Sequence, residues 1–363
     1  MKKYNYILLL FLISIYACQN DLSELPSSKG EAIMVSANVS LPATTRAAYN
    51  SETPTSDKPF DAMVWASTTT CDFPYNDNSP DNGSNGVVGY HATVNFQNGS
   101  NQLMRDGVVY PSDNRDVYFI GLYPNSGWSD NHNGNSNTST SFTISGKEDV
   151  MYAPQVTGHK NASTDPTHPS LHFFHLLTWL RIEVYAENAS VASSWGKLTD
   201  LKLTNQQRTL GIALSSTVPD TSSDDFATRL GNVATKVSFS GATDVLSFYA
   251  TGTDNAFGTE YPSGYTLTTE PTEVAYVLCQ PVSATEEISE LPTNEYVLQL
   301  TTEHRSNVTV NVDLKTASET WFTGSTMGHQ FVLKLKLCAG GYISASASVT
   351  DWVTGGYVTH DVE

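Results

Sequence analysis

Two histidines and several acidic pairs are the residues of this sequence whose types could bind a metal or perform acid–base catalysis. His172 and His175 stand three positions apart in an apolar stretch, and positions three apart on a strand point to opposite faces. The two rings then cannot share one ion, so we expect core or interfacial histidines. Asp224 and Asp225 fall in a polar stretch, where we expect solvated turn residues rather than a glycosidase pair.

Longer catalytic signatures are missing from the sequence. It contains no His-Glu-x-x-His, no Gly-x-Ser-x-Gly, no P-loop and no Gly-x-Gly-x-x-Gly. Residues 76–86 are dense in Asp and Asn, but they lack the spacing and the closing Glu of a calcium loop. The sequence therefore favours a protein that is not an enzyme and that uses no cofactor or metal.

Cys18 has a position that indicates a covalent modification. Lys2 and Lys3 are followed by a largely apolar run over residues 6–17, and Cys18 comes directly after it. As a helix this run is about 18 Å long, too short to span a bilayer, so residues 1–17 are predicted to be an export signal. Its end resembles a bacterial lipobox, in which the cysteine is acylated and becomes the new amino terminus. We expect a lipoprotein anchored in the outer membrane through Cys18.

The three other cysteines allow at most one disulfide within the chain. They are Cys71, Cys279 and Cys338. Cys279 and Cys338 each end an alternating apolar stretch that reads as a strand, so a bridge between them could form. Two independent thiols remain the alternative, because sequence does not set the geometry that a disulfide requires.

Composition and length predict an all-β protein. The chain has 363 residues, of which only 15% are charged, and it is rich in Thr, Ser, Val, Tyr, Asn and Gly, which suits strands joined by turns. It is long enough for two sandwich domains with separate cores. The formal charge of -18 repels phosphate backbones, so nucleic acid is not an expected partner.

The central stretch, from residue 149 to residue 185, is predicted to join two β domains. From Phe174 to Val184 apolar residues occupy nearly every even position, interrupted only by Thr178. This period of two predicts one long strand. Residues 125–141 are almost purely Asn, Ser, Gly and Thr around Trp128. We expect an exposed, mobile insertion there, with Trp128 either packed on its own sheet or free to stack on a sugar. Asn188 to Trp195 is the best helix candidate.

A first strand and an arginine follow the leader. Apolar residues alternate with mostly polar ones from Ile33 to Leu41, which predicts a strand. Arg46 comes shortly afterwards, and the next basic residue is Lys58. On its own, Arg46 is typical of a solvated loop.

Four short motifs then occur in order: Met151-Tyr152-Ala153 as a turn, Phe173 to Leu177, a late strand from Gly328 to Leu337, and Val349-Thr350-Asp351-Trp352. Their order and spacing resemble the fimbrillin family, the type V pilins of Bacteroidales surfaces. The resemblance implies two transthyretin-like β-sandwich domains behind a lipoprotein signal peptide at 1–17. The implied divisions are a propeptide with the first strand at 18–46, an amino-terminal domain at 47–168 and a carboxy-terminal domain at 169–363.

The resemblance also implies a mode of assembly. By this resemblance, an arginine-specific protease is expected to cut between Arg46 and Ala47 and remove the first strand, and a strand from another pilin subunit is expected to fill the groove that opens. Residues 344–362 are the candidate donor, or else the last core strand. The implied function is a structural or adhesive subunit of a surface fimbria, possible positions being the tip or the anchor, with a host or bacterial surface ligand. The alternative is a surface glycan-binding lipoprotein of a polysaccharide-uptake system.

Overall fold

The computed structural model confirms the all-β prediction. It describes residues 32–39, 60–68, 89–96, 102–104, 108–111, 113–133, 136–160, 168–214, 226–253, 255–282, 295–313 and 326–351. The strands are β1 (Met34–Val39), β2 (Phe60–Ser67), β3 (Gly89–Phe96), β4 (Gln102–Leu103), β5 (Val117–Tyr123), β6 (Trp128–Asn133), β7 (Ser136–Thr143), β8 (Met151–Gly158), β9 (Ser170–His175), β10 (Thr178–Ala186), β11 (Leu198–Ala213), β12 (Val237–Ser247), β13 (Tyr249–Ala250), β14 (Thr272–Cys279), β15 (Glu295–Thr302), β16 (Val308–Asp313), β17 (His329–Leu337) and β18 (Ile343–Asp351). The helices are α1 (Ala189–Trp195), α2 (Phe226–Ala234) and α3 (Phe257–Glu260).

The amino-terminal sandwich is a single seven-stranded sheet in the order β3-β2-β5-β8-β9-β1-β4. The strands at the two ends of this order, β3 and β4, contact each other. The rings of Phe96 on β3 and Phe173 on β9 also meet, with 6.3 Å between their centroids. The sheet therefore folds over on itself and encloses a core between its own two halves.

The carboxy-terminal sandwich has two separate sheets. One is five-stranded in the order β13-β14-β10-β17-β18, and the other is six-stranded in the order β16-β15-β11-β7-β6, with β12 paired to β11. Buried residues such as Ile182 and Leu333 from the first sheet and Leu300 from the second belong to one core. Trp65 and Tyr152, from the outer side of the amino-terminal sheet, join the same core. The two sandwiches are therefore packed together through apolar side chains.

The central stretch differs from its prediction as one long strand. It forms β9 and β10, which belong to different sheets, and Leu176 and Leu177 lie between them. Both leucines are fully buried. Period two cannot detect this break, because the residues at the crossing point are as apolar as those in the strands. The Met151-Tyr152-Ala153 motif, predicted as a turn, begins strand β8 and is buried.

Residues 125–141 were predicted to be a mobile insertion, and this prediction is wrong for the part that the structure describes. Strands β6 and β7 form a hairpin, and β7 pairs with β11. Trp128 donates its indole N–H to the carbonyl of Pro124 at 2.7 Å and packs on Phe142, with 5.3 Å between the ring centroids. Its side chain is thus packed on its own sheet. Polar strands of this kind are ordered by pairing with a partner strand rather than by their own composition.

Sheet membership crosses the domain boundary that we predicted at residue 168. The β6–β7 hairpin precedes this residue but belongs to a sheet of the carboxy-terminal sandwich. Strand β9 follows it but belongs to the amino-terminal sheet. The division into 47–168 and 169–363 stays a prediction.

The helices are short connections at the surface of the sheets. Helix α1 lies where Asn188 to Trp195 was predicted, and the Asn188 side chain caps it by accepting from the backbone N–H of Val191 at 3.0 Å. In the described part of the chain, none of the helices is long and apolar enough to cross a membrane.

Candidate functional site

Strand β1 occupies a slot near the end of the amino-terminal sheet. On one side it runs parallel to β9, with Ser36 opposite Ser170 and Val39 opposite Phe173. On the other side it runs antiparallel to β4, with Met34 opposite Leu103. Parallel neighbours so far apart in sequence can be brought together only by the tertiary fold. The predicted first strand is thus present as an inner strand of the sheet.

The side chains of β1 divide into two rows as period two requires. Ile33, which directly precedes β1, and Val35 and Ala37 within it point inward and are essentially unexposed, at 0%, 0% and 3%. Met34 and Ser36 point outward and are half-buried. Full burial of side chains such as Ile and Val stabilises a fold by about 1.5–3 kcal/mol each. Strand β1 therefore contributes a substantial part of the amino-terminal core.

Backbone groups around the slot depend on β1 for their partners. The first four residues of β9 pair with β1, whereas β8 reaches only the last two, Phe174 and His175. Beyond the strand, the N–H of Ile33 donates to the carbonyl of Val108 at 3.3 Å, and the N–H of Met104 donates to the carbonyl of Ile33 at 3.0 Å. Loss of β1 would leave both walls of the slot with unpaired amides and carbonyls, which costs free energy unless another strand enters.

The floor of the slot is apolar and closely packed. Leu171 and Phe173 from β9 lie beside the inward row of β1, in the same cluster as Met104 and Tyr110. A side chain added at Gly121 of β5 would overlap the Phe173 ring, lying 2.7 Å from its Cε1 atom. Gly121 is therefore required so that the Phe173 ring can lie across β5 and line the floor.

The last strand, β18, is held at the edge of the five-stranded sheet. It pairs antiparallel with β17 along its full length, from Ile343 opposite Leu337 to Asp351 opposite His329. Residues 344–351 of the candidate donor segment are thus a core strand in this structure. Residues 352–362 of that segment lie outside the described residues.

The predicted covalent sites fall partly outside the described part of the chain. This holds for Cys18 and for the cleavage position between Arg46 and Ala47, so lipid attachment and processing stay predictions. Cys279 and Cys338 are both free, buried thiols in the structure. The first donates to the carbonyl of Thr178 at 3.6 Å and the second to that of Lys336 at 3.5 Å, which corresponds to two independent thiols. Burial raises the pKa of the Cys279 thiol far above its ordinary value.

The two histidines lie as predicted on opposite faces of β9. His175 is buried beside Asp149, with 2.8 Å between its Nδ1 and a carboxylate oxygen. His172 is half-buried on the other face, next to the ring of Phe174. Within the described ranges, no group of three or more His, Cys, Asp or Glu side chains is placed to hold a metal ion.

These features define a class: an all-β protein of two packed sandwiches in which an early strand completes the amino-terminal core. The sequence profile of the fimbrillin-like family matches residues 45–352. Because this match covers most of the chain, the protein belongs to the fimbrillin-like family. No curated protein sequence matches it significantly.

Several solved structures that resemble this chain come from Bacteroides and Porphyromonas species. A proposed cell adhesion protein of Bacteroides uniformis is 15% identical, with a TM-score of 0.48, over 88% of this chain and 99% of the other. A proposed polysaccharide-binding protein of Bacteroides thetaiotaomicron is 10% identical, with a TM-score of 0.44, over 89% and 97%. The fimbrial anchor protein Mfa2 of Porphyromonas gingivalis is 10% identical, with a TM-score of 0.40, over 91% and 100%.

Proposed function

We propose that this protein is a structural and adhesive subunit of a surface fimbria, and that it accepts a strand from a neighbouring subunit in place of β1. The observation that carries the proposal is the position of β1, an inner strand whose inward row is fully buried. The chain that joins β1 to β2 spans residues 40–59 and contains Arg46. A single cut after Arg46 would leave β1 held only by noncovalent contacts.

The energetics favour replacement of the strand over an empty slot. Without β1, the first half of β9 and the segment around Met104 lose hydrogen-bond partners, and Leu171 and Phe173 lose the side chains that cover them. An incoming strand with small and branched apolar residues at alternate positions restores both kinds of interaction. The exchange therefore gives a stable joint between subunits.

The sequence of β18 shows what such a strand could look like. Its inward row, Ile343, Ala345 and Ala347, packs against the carboxy-terminal core. The inward row that ends in β1 has Ile33, Val35 and Ala37, so the two rows differ only at the middle position, which is Val in one and Ala in the other. A donor with this pattern would fit the slot. In the described part of this chain, however, β18 is already paired with β17, which favours an accepting subunit that offers no free donor, as at a fimbrial tip.

The remaining steps follow from the leader and the cleavage site. The precursor would be acylated at Cys18, held in the outer membrane by the lipid, and released into the fimbria when an arginine-specific protease cuts before Ala47. The mature form would then stand on the cell surface. A subunit that keeps its lipid and is not cut would instead serve as an anchor.

Strand exchange can be tested on the folded chain. The protein is cut with an arginine-specific protease and incubated with a labelled peptide of residues 32–41. Arg46→Lys prevents the cut at this position and serves as the uncut control. Two peptide variants test whether the peptide binds in the slot as β1 does. Val35→Asp places a charge in the inward row, whereas Ser36→Asp places it in the outward row.

The proposal predicts that the cut protein takes up the parent peptide and the Ser36→Asp peptide but not the Val35→Asp peptide, and that the Arg46→Lys protein takes up none. Equal uptake of all three peptides, or uptake by the uncut control, would contradict it. A protein that stays monomeric and uncut but is retarded in polysaccharide gels would favour the glycan-binding lipoprotein.

A further inference from the structure

Arg305 lies at the end of the carboxy-terminal sandwich that is remote from the amino-terminal one. It sits in the turn between β15 and β16, three residues after Thr302. Thr302 is paired with Leu198 at the start of β11. Strands β10 and β17 end at the same end of this sandwich, with Ala186 opposite Leu337. We call this end of the carboxy-terminal sandwich the pole. The chain enters this sandwich from β9 at the other end of β10. The pole is therefore far from the β1 slot.

The guanidinium of Arg305 is held between an aromatic ring and a glycine turn. Its Cζ lies 4.6 Å from the centroid of the Trp195 ring. The indole of Trp195 is fixed in turn, because its N–H donates to the carbonyl of Cys338 at 3.1 Å. A Cβ at Gly341 would overlap the Nη1 atom of Arg305. This arrangement fixes the plane of the guanidinium before any ligand arrives.

Arg305 has no carboxylate partner among the residues that the structure describes, although the protein is strongly acidic. The other arginines with described side chains, Arg115, Arg181 and Arg208, each form a salt bridge with an Asp or Glu. By contrast, the Nε atom of Arg305 is buried and has no hydrogen-bond acceptor in the described structure.

The acidic side chains at this pole bind backbone groups instead. Glu303 accepts from the N–H of Lys197 at 2.9 Å, and Glu187 accepts from the N–H of Ala339 at 3.2 Å. Neither forms a salt bridge with Arg305 in the described residues. A half-buried guanidinium without a counter-ion is unfavourable in the free protein and can be offset by an anion that binds to it.

An exposed aromatic side chain, Tyr342, follows the glycine that lies against the Arg305 guanidinium. Tyr342 directly follows Gly341 and is 62% exposed, the largest exposure among the large apolar side chains described. Exposed tyrosines with fixed backbones stack on the apolar faces of ligands at a low entropic cost.

We propose that Arg305 and Tyr342 form a binding site for an anionic sugar, in which the guanidinium pairs with the sugar carboxylate and the Tyr342 ring packs on the sugar face. A planar guanidinium matches a carboxylate with two parallel hydrogen bonds. The proposal does not depend on strand exchange, because the site lies at the opposite end of the molecule and is complete in a single chain.

Affinity electrophoresis of the full chain tests this site. Gels contain polygalacturonate, which has a carboxylate on every sugar, or its methyl ester, which lacks the charge. The variants are Arg305→Gln and Arg305→Lys, with Arg115→Gln as the control that removes an arginine elsewhere. Gly341→Ala moves the guanidinium without changing the charge. Gly340→Ala is its control for backbone strain, because Gly340 also has a positive φ, 88°, but a Cβ there meets two ring atoms of Tyr342, at 3.9 and 4.0 Å, and no atom of Arg305 within 4 Å.

We expect retardation by polygalacturonate and not by the ester, with affinity reduced about tenfold or more in Arg305→Gln and Gly341→Ala. Arg305→Lys should bind more weakly than the parent, and Arg115→Gln and Gly340→Ala should bind like it. Circular dichroism verifies that each variant is folded. If Arg305→Gln does not fold, the retardation of Gly341→Ala tests the role of the guanidinium. The proposal is overturned if the parent is not retarded, if the ester binds equally, or if the folded site variants bind like the parent.

Discussion

The Nδ1 atom of His175 lies 2.8 Å from a carboxylate oxygen of Asp149, and the two side chains are only 2% and 1% exposed. The pair sits where β9 leaves the amino-terminal sheet, next to the hydrogen bond from the N–H of Leu176 to the carbonyl of Val150. Buried pairs of this kind contribute to the fold only while both members are present. The pair therefore lies at the crossing between the two sandwiches.

Removal of the Asp149 carboxylate should destabilise the protein strongly. We expect Asp149→Ala to lower the free energy of unfolding by about 3 kcal/mol, because the buried ring loses the carboxylate that faces it. Asp116→Ala is the matched control: Asp116 faces His159 at 3.9 Å on the surface, with both side chains about half exposed, and its loss should cost under about 1 kcal/mol. Denaturant unfolding measures both, and equal effects would contradict the structural role of the buried pair.

The inward row of β1 should matter far more than the outward row. Ile33→Ala removes fully buried carbons and should cost about 2–4 kcal/mol. Met34→Ala, one position away and half-buried on the other face, should cost under about 1 kcal/mol. Thermal or chemical unfolding of the full chain compares the two. Similar losses at both positions would mean that β1 does not complete the core.

The contact of Gly121 with Phe173 predicts a steric effect. Gly121→Ala should lower the free energy of unfolding by about 1–3 kcal/mol, because the new methyl group overlaps the ring. The same change in a Phe173→Leu background should cost clearly less, since the smaller side chain leaves room. Gly231→Ala, on helix α2 with no atom within 4 Å of the added Cβ, should instead stabilise by about 0.5–1 kcal/mol. A neutral Gly121→Ala would show that the ring does not lie across β5.

The buried thiols predict a pattern of chemical modification. Burial raises the pKa of Cys279 and keeps its thiol neutral, so native protein should not react there with iodoacetamide at pH 8. In denaturant without reductant, both Cys279 and Cys338 should become alkylated, as peptide mass mapping would show. Protection of both residues until a reductant is added would instead demonstrate a disulfide.

Much of the fold was predictable from sequence because buried strands carry a strong period of two. Strand β1, with its inward residues Ile33, Val35 and Ala37, and strand β17 lie where alternation predicted them. The break between β9 and β10 was missed, since Leu176 and Leu177 are apolar and continue the pattern. The β6–β7 hairpin was missed for the opposite reason, because its polar residues are ordered by pairing with β11.

The sequence did not fully predict the β1 slot, and it did not predict the proposed sugar-binding site at Arg305 and Tyr342. The first strand and Arg46 were visible, but the parallel pairing of β1 with β9 joins residues more than a hundred positions apart. The stacking of Arg305 on Trp195 likewise depends on the tertiary fold. The sequence predicted the strands with alternating apolar residues and the candidate cleavage position. The contacts between distant segments were visible only in the structure.

The most direct test of the proposed function is the amino-terminal sequence and intact mass of the protein taken from its native envelope. We expect a chain that begins at Ala47 in the assembled fimbria, with β1 excised and its slot filled by another subunit. An acylated terminus at Cys18 that remains unchanged when a trypsin-like protease is added would contradict acceptance of a strand by this chain.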